Sequence, residues 1–251
     1  MCVDRVTRER RRCSFGPAAE AYERFRPTYP RNAVAWVAGE APRRVLDVGA
    51  GTGKLTRVLL EAGHEVVAVE PDESMRAALA ALVPEAELLA GLAEALPLAD
   101  ASVDVVVAAQ AFHWFDLDRA LPEIARVLRP GGTFGVLANL RDESVPWVAE
   151  LGRVLHGEDG TGYSHEGDAP ESFGSFFGAV ERAGFRQVQD LDVEGLVGLA
   201  ASRSYALTLP DAEREALLAG VEALAKREAD RTGGRLGLPY VTVCDRAARI
   251  R

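Results

Sequence analysis

The sequence is poor in cysteine and has no long hydrophobic segment. Its 251 residues include three cysteines, Cys2, Cys13 and Cys244, and none lies at the spacing of a metal-ligand pair. This usage is typical of a reducing cytoplasm. No apolar run approaches the ~20 residues that a membrane-spanning helix needs, and no hydrophobic signal core follows the arginines between positions 5 and 12. We therefore expect a cytoplasmic protein without a membrane partner.

Positive charge is scarce as well. Lys and Arg number 29 against 38 Asp and Glu, and the resulting net charge of −9 argues against a nucleic-acid partner. Histidines and carboxylates gather in the loop 156–171 without the spacing of a metal site, so no metal is predicted. Hydrophobic residues make up 48% of the chain and charged residues 27%, which is ordinary for a globular protein with a sizeable core.

Glycine is concentrated at one informative place, the segment VLDVGAGTGKL at 45–55. The apolar run 45–48 predicts a strand buried on both faces of a parallel sheet, and Leu55, Val58 and Leu59 predict a helix that closes near Gly63. Between them stand three glycines at alternate positions. A strand, a glycine turn and a helix N-terminus together present free N–H groups to a nucleotide-like ligand.

The glycine spacing distinguishes two such ligands. A dinucleotide fingerprint that begins at Gly49 requires a third glycine at position 54, where this chain has Lys54. Asp47 would not help a pyrophosphate, but it would favour the cationic amino group of S-adenosylmethionine (SAM). The pattern D-x-G-x-G-x-G resembles motif I of the class I SAM-dependent methyltransferases. The alternative is a tight turn with no ligand. The SAM-binding candidates here are Asp47, Gly49, Ala50, Gly51, Thr52 and Gly53.

The second predicted strand, 65–70, ends in an acidic residue. Glu70 lies 21 residues beyond Gly49, about where a dinucleotide-type fold places the carboxylate that accepts hydrogen bonds from ribose hydroxyls. A solvated strand end is the alternative interpretation. Pro71 and Met75 follow at the start of the next helix, and we expect Met75 near the adenine ring.

A third strand, 86–90, leads into Gly91–Pro97. This segment resembles the family's G-x-A-E-x-L-P sequence, whose backbone contacts adenine. Leu92 stands where many relatives have Asp or Thr, so the backbone at Ala93 is the expected adenine contact. Glu94 is a second candidate, with the start of a helix as its alternative role.

The clearest strand, 103–109, delivers the sequence AQAFHWFD at the carboxyl edge of the sheet, where α/β proteins bind ligands. The D/N-P-P-Y segment of amide and adenine-amine methyltransferases is absent. AQAFHWFD instead resembles small-molecule methyltransferases, including relatives of the trans-aconitate enzyme. The resemblance implies cofactor contact at Gln110, substrate contact at Trp114, and catalysis or acceptor binding at His113. A structural histidine packed beside Trp114 is the alternative.

The N-terminal segment FGPAAEAYERFRPTYP resembles the entry segment of a methyltransferase subgroup, in which a helix and turn cover the SAM pocket. By that resemblance Tyr22 and Arg26 are cofactor candidates and Tyr29 is a substrate candidate. Alternatively these aromatic residues fasten the helix to the sheet. For a carboxylate acceptor, Arg26, Arg141 or Arg203 could bind the anion in bidentate fashion.

The whole chain is predicted to be one α/β domain with a Rossmann-like, doubly wound, seven-stranded sheet, mostly parallel with an antiparallel last strand. We divide it into lid helices (14–40), SAM-binding core (45–138), substrate rim with strand six and helices (139–235) and last strand (236–251). Arg129–Gly132 is expected to end a helix and turn the chain. Further helices are predicted at 31–40, 117–128, 145–155, 172–183 and 211–231, and further strands at 133–138, 186–193 and 238–244.

The resemblance implies transfer of a methyl group from SAM to a small molecule, leaving S-adenosylhomocysteine (SAH). The preferred reaction is O-methylation of a carboxylate or a hydroxyl. Two alternatives remain open, a catalytically silent SAM-fold binding protein and a nicotinamide-dependent oxidoreductase. Both monomer and homodimer are compatible with the sequence.

Overall fold

The structure is a computed structural model that describes residues 19–156 and 171–250. In chain order its helices and strands are α1 (Ala19–Phe25), α2 (Arg31–Ala38), β1 (Arg44–Val48), α3 (Lys54–Glu61), β2 (Glu65–Val69), α4 (Glu73–Leu82), β3 (Glu87–Leu89), β4 (Val103–Ala109), α5 (Leu117–Val127), β5 (Leu128–Arg141), α6 (Pro146–His156), β6 (Glu181–Leu191), α7 (Val193–Ala201), α8 (Ser204–Thr208), α9 (Asp211–Thr232) and β7 (Leu236–Ala248). A 3₁₀ turn, Phe112–Trp114, lies between β4 and α5.

The strands form one seven-stranded sheet in the order β3-β2-β1-β4-β5-β7-β6. Strands β1 to β5 pair in parallel, and the strands at the β7 end pair antiparallel. The predicted Rossmann-like seven-stranded fold is therefore confirmed. Its strand order reverses between β1 and β4, so the ends of these strands border the crevice where such sheets bind ligands.

The chain divides into two compact units, and the division passes through β5, β6 and β7. The sheet unit comprises the described parts of Thr28–Asn139, Glu166–Phe185 and Thr242–Arg251, and the helical unit those of Met1–Pro27, Leu140–His165 and Arg186–Val241. The assignment of the chain to a single domain remains a prediction.

The core of the sheet unit consists of two main layers on the faces of the parallel strands. One layer contains Leu46, Val67, Val106 and Phe134, and the other contains Val45, Val66 and Val105. Neighbouring residues of one strand thus enter opposite layers, and this is why β1, β2 and β4 are almost continuously apolar. The helical unit has its own core, built on α6, α7 and α9.

The predicted helix at 172–183 is wrong. Residues 172–180 are irregular and β6 already begins at Glu181. Gly174 has a φ of 80°, which a helix cannot accommodate, and Phe173 is fully buried against Phe134 with ring centroids 4.7 Å apart. Aromatic packing and the glycine turn therefore decide the structure of this segment rather than its helical periodicity.

Two other boundaries also differ from expectation. The helix α5 ends at Val127, just before Arg129–Gly132 as expected. These four residues form a bulge inside β5 rather than a turn before it, since Leu128 pairs with Val103 and Thr133 with Val105. Val193, predicted as the end of the sixth strand, instead begins α7. The predicted start of the first helix near position 14 lies outside the described residues.

Candidate active site

A glycine turn joins β1 to α3 at the carboxyl edge of the parallel strands. Gly49, Gly51 and Gly53 have φ angles of 72°, 58° and 87°. The N–H groups of Gly49 and Ala50 donate to the carbonyl of Val69 at 2.8 and 3.2 Å, so the turn is tied to the end of β2. Because positive φ is unfavourable for residues with a Cβ, the alternate glycines allow the chain to turn at this point.

The three glycines have different surroundings. A Cβ added at Gly49 would lie 2.7 Å from the Cβ of Ala111, and one at Gly53 would lie 3.0 Å from Leu79. A Cβ added at Gly51 would meet no atom of the described residues within 4 Å. No described residue therefore packs against Gly51 where a Cβ would be, whereas the glycines on either side are closely packed.

Asp47 is a buried carboxylate at the end of β1, with 1% of its surface exposed. Its Oδ2 accepts a hydrogen bond from Thr56 Oγ1 at 2.7 Å. Its Oδ1 has no hydrogen-bond partner among the residues that the structure describes. Burial, assisted by the nearby charge of Glu70, raises the pKa of Asp47 to about 7. A buried acceptor oxygen of this kind is a strong candidate for binding a cationic ligand group.

Glu70 is a second buried carboxylate, directly after β2. Its Oε2 accepts from the N–H of Gly51 and its Oε1 from the N–H of Asp72, both at 2.9 Å. Burial raises the pKa of Glu70. Each carboxylate oxygen has two lone pairs, so both oxygens can accept a further hydrogen bond from a ligand hydroxyl. The predicted solvated strand end does not describe this residue, because only 7% of its surface is exposed.

Three more predicted cofactor residues adjoin these acids in sequence. Thr52 and Met75 are buried, and Pro71 is exposed. The N–H of Met75 donates to Asp72 Oδ1 at 2.9 Å, which caps α4.

The segment from Gly91 to Pro97 is a compact turn. Leu92 and Ala95 form an isolated antiparallel bridge, and Ala93 is buried. Glu94 does not start a helix, as the alternative interpretation of this residue required: its Oε1 accepts from the N–H of Asp116 at 2.8 Å. The side chain thus connects the turn to the residue that precedes α5.

Gln110 follows β4 with an unusual backbone. Its φ of 54° lies in the left-handed region, which is uncommon for a residue with a side chain. Its backbone N–H donates to the carbonyl of Leu137 at 2.9 Å, and its Nε2 donates to the carbonyl of Asn139 at 3.1 Å. Such backbone strain is common at ligand sites.

His113 and Trp114 lie in the 3₁₀ turn and are both half-buried. Their ring centroids are 4.5 Å apart, and Trp114 packs against the core of the sheet unit. This arrangement fits the structural alternative for His113 and is also compatible with a role at the ligand, so its catalytic role remains a prediction.

Tyr29 belongs to the sheet unit and is buried in a hydrophobic cluster with Val34 and Val37. This position favours the interpretation that Tyr29 fastens the entry segment to the core. Asn139 Nδ2 donates to the neighbouring carbonyl of Thr28 at 3.0 Å.

Tyr22 and Arg26 belong to the helical unit. The Arg26 guanidinium donates from Nε to Ser202 Oγ at 3.1 Å and from Nη2 to the Ser202 carbonyl at 3.0 Å. Its Cζ lies 5.0 Å from the centre of the Tyr22 ring, a cation–π contact. Arg26 therefore has a packing role in this unit, and the contacts of Tyr22 and Arg26 with a cofactor remain predictions.

The helical unit also contains Arg141 and Arg203, two predicted acceptor contacts. Arg203 is buried, with 6% of its surface exposed, and Arg141 Nη2 lies 3.2 Å from His156 Nε2. Because a guanidinium only donates, His156 Nε2 is the acceptor in this contact. His156 in turn lies beside Tyr205, with ring centroids 5.5 Å apart.

Comparison with known proteins decides the family. The model of a methyltransferase domain matches residues 46–136. An uncharacterized methyltransferase of Mycobacterium bovis is 48% identical over 93% of this chain and 95% of its own length. The chain belongs to the class I SAM-dependent methyltransferases. The solved structure of a candidate type II methyltransferase from Anaeromyxobacter dehalogenans is 27% identical, with a TM-score of 0.56, over 90% of this chain and 98% of the other.

A relative with a more specific description matches part of the methyltransferase. A malonyl-[acyl-carrier protein] O-methyltransferase of Methylococcus capsulatus is 42% identical over 51% of this chain and 53% of its own length.

Sequence reasoning missed three residues around the methyltransferase site. Thr56 donates a hydrogen bond to Asp47, and Glu123 and Arg126 of α5 bind the main chain of Leu96 near the end of the Gly91–Pro97 turn. The spacing of Glu123 and Arg126 indicates an ion pair on a helix, but it does not reveal which loop the pair contacts.

The described part of the methyltransferase has neither a candidate metal site nor a helix that could span a membrane. Residues 19–156 and 171–250 contain no group of three or more His, Cys, Asp or Glu side chains placed to hold a metal ion. Over the same ranges, every helix is too short or too polar to cross a membrane. Most of the loop 156–171 lies outside the described residues, so the expectations of no metal, no nucleic acid and a cytoplasmic location remain predictions.

Proposed function

We propose that the methyltransferase binds SAM on the Gly49–Gly53 turn between Asp47 and Glu70 and methylates the carboxylate of a small-molecule acceptor. The observation that carries the proposal is the pair of buried carboxylates on either side of an approachable glycine main chain. A buried acid is unfavourable unless something compensates for its lost hydration, and a ligand with a cationic amino group and ribose hydroxyls provides that compensation.

The donor set matches the two polar parts of SAM. Asp47 Oδ1, which has no partner among the described residues, would accept from the ligand ammonium group. The two oxygens of Glu70, each already holding one backbone N–H, would accept from the ribose hydroxyls. The open space beside Gly51 allows the ligand to approach the main chain. Ala93, Glu94, Met75 and Gln110 would complete the cofactor site around these groups.

The protein has little covalent chemistry to perform. When bound, SAM supplies a methyl group on a cationic sulfonium: an acceptor oxygen lone pair forms the new C–O bond while the C–S bond breaks, and its electron pair stays on sulfur as a neutral thioether. The residues of the chain position the acceptor and exclude water. A carboxylate acceptor needs no base. For a hydroxyl acceptor, His113 would take the proton.

The carboxylate is the preferred acceptor for two reasons. The Methylococcus relative is described as a malonyl-[acyl-carrier protein] O-methyltransferase, and a malonyl group attached at one end has a free carboxylate at the other. The chain also has three arginines that we propose as acceptor contacts, Arg26, Arg141 and Arg203, because a guanidinium binds a carboxylate through two parallel hydrogen bonds. Tyr29 and Trp114 remain further candidates for acceptor contact.

Ligand binding is the first test. We expect calorimetry to detect SAM and SAH but not NAD or NADP, and thermal unfolding to shift upward with SAH. A ligand present at 100 times its Kd stabilises a fold by about 2.7 kcal/mol, which is easily measured. Stabilisation by a nicotinamide nucleotide alone would contradict the proposed cofactor.

The acceptor is tested next with a panel of small mono- and dicarboxylic acids and phenols, following transfer of labelled methyl groups. Methyl esters are the expected products, and kcat should fall little in His113→Ala. Turnover of phenols alone, with a large loss of kcat in His113→Ala, would replace the carboxylate by a hydroxyl and make His113 the base. SAH binding without any turnover would favour a silent binding protein.

A further inference from the structure

The ion pair of Glu123 and Arg126 on α5 binds the end of the Gly91–Pro97 turn, at Leu96, and the residues just beyond it, Leu98 and Asp100. Arg126 Nε and Nη2 donate to the two oxygens of Glu123, both at 2.8 Å. The remaining N–H groups donate to the carbonyls of Leu96 at 3.0 Å and Leu98 at 2.8 Å and to Asp100 Oδ1 at 2.8 Å. A guanidinium has five N–H donors, so every donor of Arg126 has a partner.

Glu123 contributes to the same contact. Its Oε2 accepts from the N–H of Leu96 at 2.9 Å, so the pair binds both the N–H and the C=O of one residue. The bonds to Arg126 lower the pKa of Glu123. We call Glu123 and Arg126 the α5 clamp.

The turn is fixed at its other points too. A Cβ at Gly91 would lie 2.8 Å from Pro97 and 3.1 Å from Val69, so the start of the turn packs on its own end and on β2. Glu94 in the middle of the turn accepts from the N–H of Asp116. The turn is therefore held at Gly91, at Glu94 and at Leu96. These three points lie before and after Leu92 and Ala93 in the chain and fix the main chain between them.

We propose that the α5 clamp positions the Leu92–Ala95 main chain so that it recognises the edge of the adenine ring. This inference rests on the proposed SAM site. Leu92 has no polar side-chain atom, so any hydrogen bonds to adenine at this position come from main-chain groups. Main-chain groups recognise a base edge only when their directions are fixed, because hydrogen bonds weaken steeply with angle. Glu123 and Arg126 are thus positioning residues and do not touch the ligand.

The clamp predicts a specific loss when its geometry changes. Arg126→Lys keeps the charge but has three donors on one nitrogen, so it cannot bind Glu123, Asp100 and two carbonyls together. The control is Arg129→Lys, three residues along, because Arg129 pairs with Asp104 and not with the turn. Glu123→Gln is a second variant that keeps an acceptor for the N–H of Leu96.

The experiment compares the Kd of SAH with that of S-inosylhomocysteine, in which an oxo group replaces the adenine amine. The wild-type protein should prefer SAH by tenfold or more, since a site built to hydrogen-bond a group rejects the analogue that lacks it. Arg126→Lys should bind SAH about tenfold more weakly and lose most of this preference. Glu123→Gln should lose part of it, and Arg129→Lys should keep it in full. Sulfate, added as a general stabiliser until Arg126→Lys melts at the wild-type temperature, should not restore the variant's preference for SAH over S-inosylhomocysteine.

Two outcomes would overturn the proposal. A preference for SAH that survives in Arg126→Lys, with only the melting temperature lowered, would make the clamp purely structural. A wild-type protein that binds both ligands equally would show that the turn does not read the adenine amine. Failure of the wild-type protein to bind SAH at all would instead refute the proposed SAM site.

Discussion

At the scale of single residues, the glycine turn carries the most direct information about ligand approach. Gly51 combines a φ of 58° with no described atom within 4 Å of an added Cβ, so packing against the described residues does not explain the glycine. By contrast, Gly49 is required by the nearby Ala111 whether or not a ligand binds.

Substituting Gly51 by Ala should therefore weaken ligand binding more than it weakens the fold. The left-handed backbone should cost about 1–2 kcal/mol of stability, and the new methyl group should raise the Kd of SAH by at least tenfold. Gly233→Ala is the matched control, because Gly233 at the end of α9 has a φ of 75° and also no described atom within 4 Å of an added Cβ. It should lose similar stability and keep SAH affinity. Calorimetry and urea unfolding measure both quantities, and equal Kd values for the two variants would exclude close approach at Gly51.

If Asp47 binds the ammonium group as proposed, ligand affinity should depend on pH. Its pKa of about 7 without ligand means that the carboxyl is largely protonated at pH 6 and ionised at pH 8. The ammonium group of SAH prefers the ionised form, so affinity should rise with pH and level off above pH 7. We expect affinity to fall about fivefold from pH 7 to pH 6, because the ionised fraction of Asp47 falls from about one half to about one tenth. Asp47→Asn should bind more weakly at pH 7 and show a flatter profile in calorimetry. Parallel profiles would mean that Asp47 does not contact the cation.

At the scale of elements, tertiary packing decides the structure of the segment 171–180, although the local sequence has the periodicity of a helix. Phe173 lies among Phe112, Phe134 and Phe177, with ring centroids 5.8, 4.7 and 6.1 Å away, respectively. Phe112 belongs to the 3₁₀ turn that holds His113. The irregular segment therefore supports the turn through aromatic contacts rather than through backbone pairing.

Phe173→Ala should destabilise the protein by about 3–5 kcal/mol, because it removes a fully buried ring and leaves a cavity. Phe176→Ala, which removes a half-buried ring from the same segment, should cost clearly less. Urea unfolding gives both values. Equal losses of unfolding free energy in the two variants would indicate that the whole segment stabilises the protein, rather than Phe173 in particular.

The helices and strands also show which sequence patterns are sufficient to predict an element. β4 was predicted at 103–109 and found at Val103–Ala109, because a strand buried on both faces reads as a continuous apolar run. α7 was missed because Gly195 and Gly198 lower its helix propensity. A Cβ at Gly198 would lie 2.4 Å from the ring of Phe25, so this glycine is a requirement of helix packing that only the tertiary structure reveals.

The candidate site could be predicted in part for the same physical reasons. The acids that end β1 and β2 are marked by their place after apolar strands, so Asp47 and Glu70 are accessible to sequence reasoning. The groups that donate hydrogen bonds to these acids cannot be predicted in this way. Thr56 and Asp72 lie near the starts of helices, and nothing in the sequence distinguishes them from other residues at helix starts. The α5 clamp is likewise hidden, because its target is distant in sequence.

At the scale of the whole molecule, the buried acid Asp47 should reduce the stability of the ligand-free protein. A carboxyl whose pKa rises from 3.8 to about 7 on folding binds its proton more tightly in the folded state. Between these values folding takes up a proton, so the free energy of unfolding falls as pH rises. Above pH 7 this loss in the free energy of unfolding has reached its full size, about 4 kcal/mol.

Asp47→Asn should remove this dependence and make the ligand-free protein more stable than wild type in alkaline solution. Asparagine keeps an oxygen that can accept from Thr56 and carries no charge to desolvate. Urea unfolding at pH 5, 6.5 and 8 should show the variant's advantage growing by about 3 kcal/mol across the range. Saturating SAH should shrink the advantage at pH 8, because the bound ammonium group favours the ionised wild-type carboxylate and cannot do the same for the amide. An advantage that is constant with pH would mean that Asp47 does not titrate on folding. If SAH leaves the advantage of the variant unchanged, Asp47 does not contact the ligand and its burial affects only the stability of the fold.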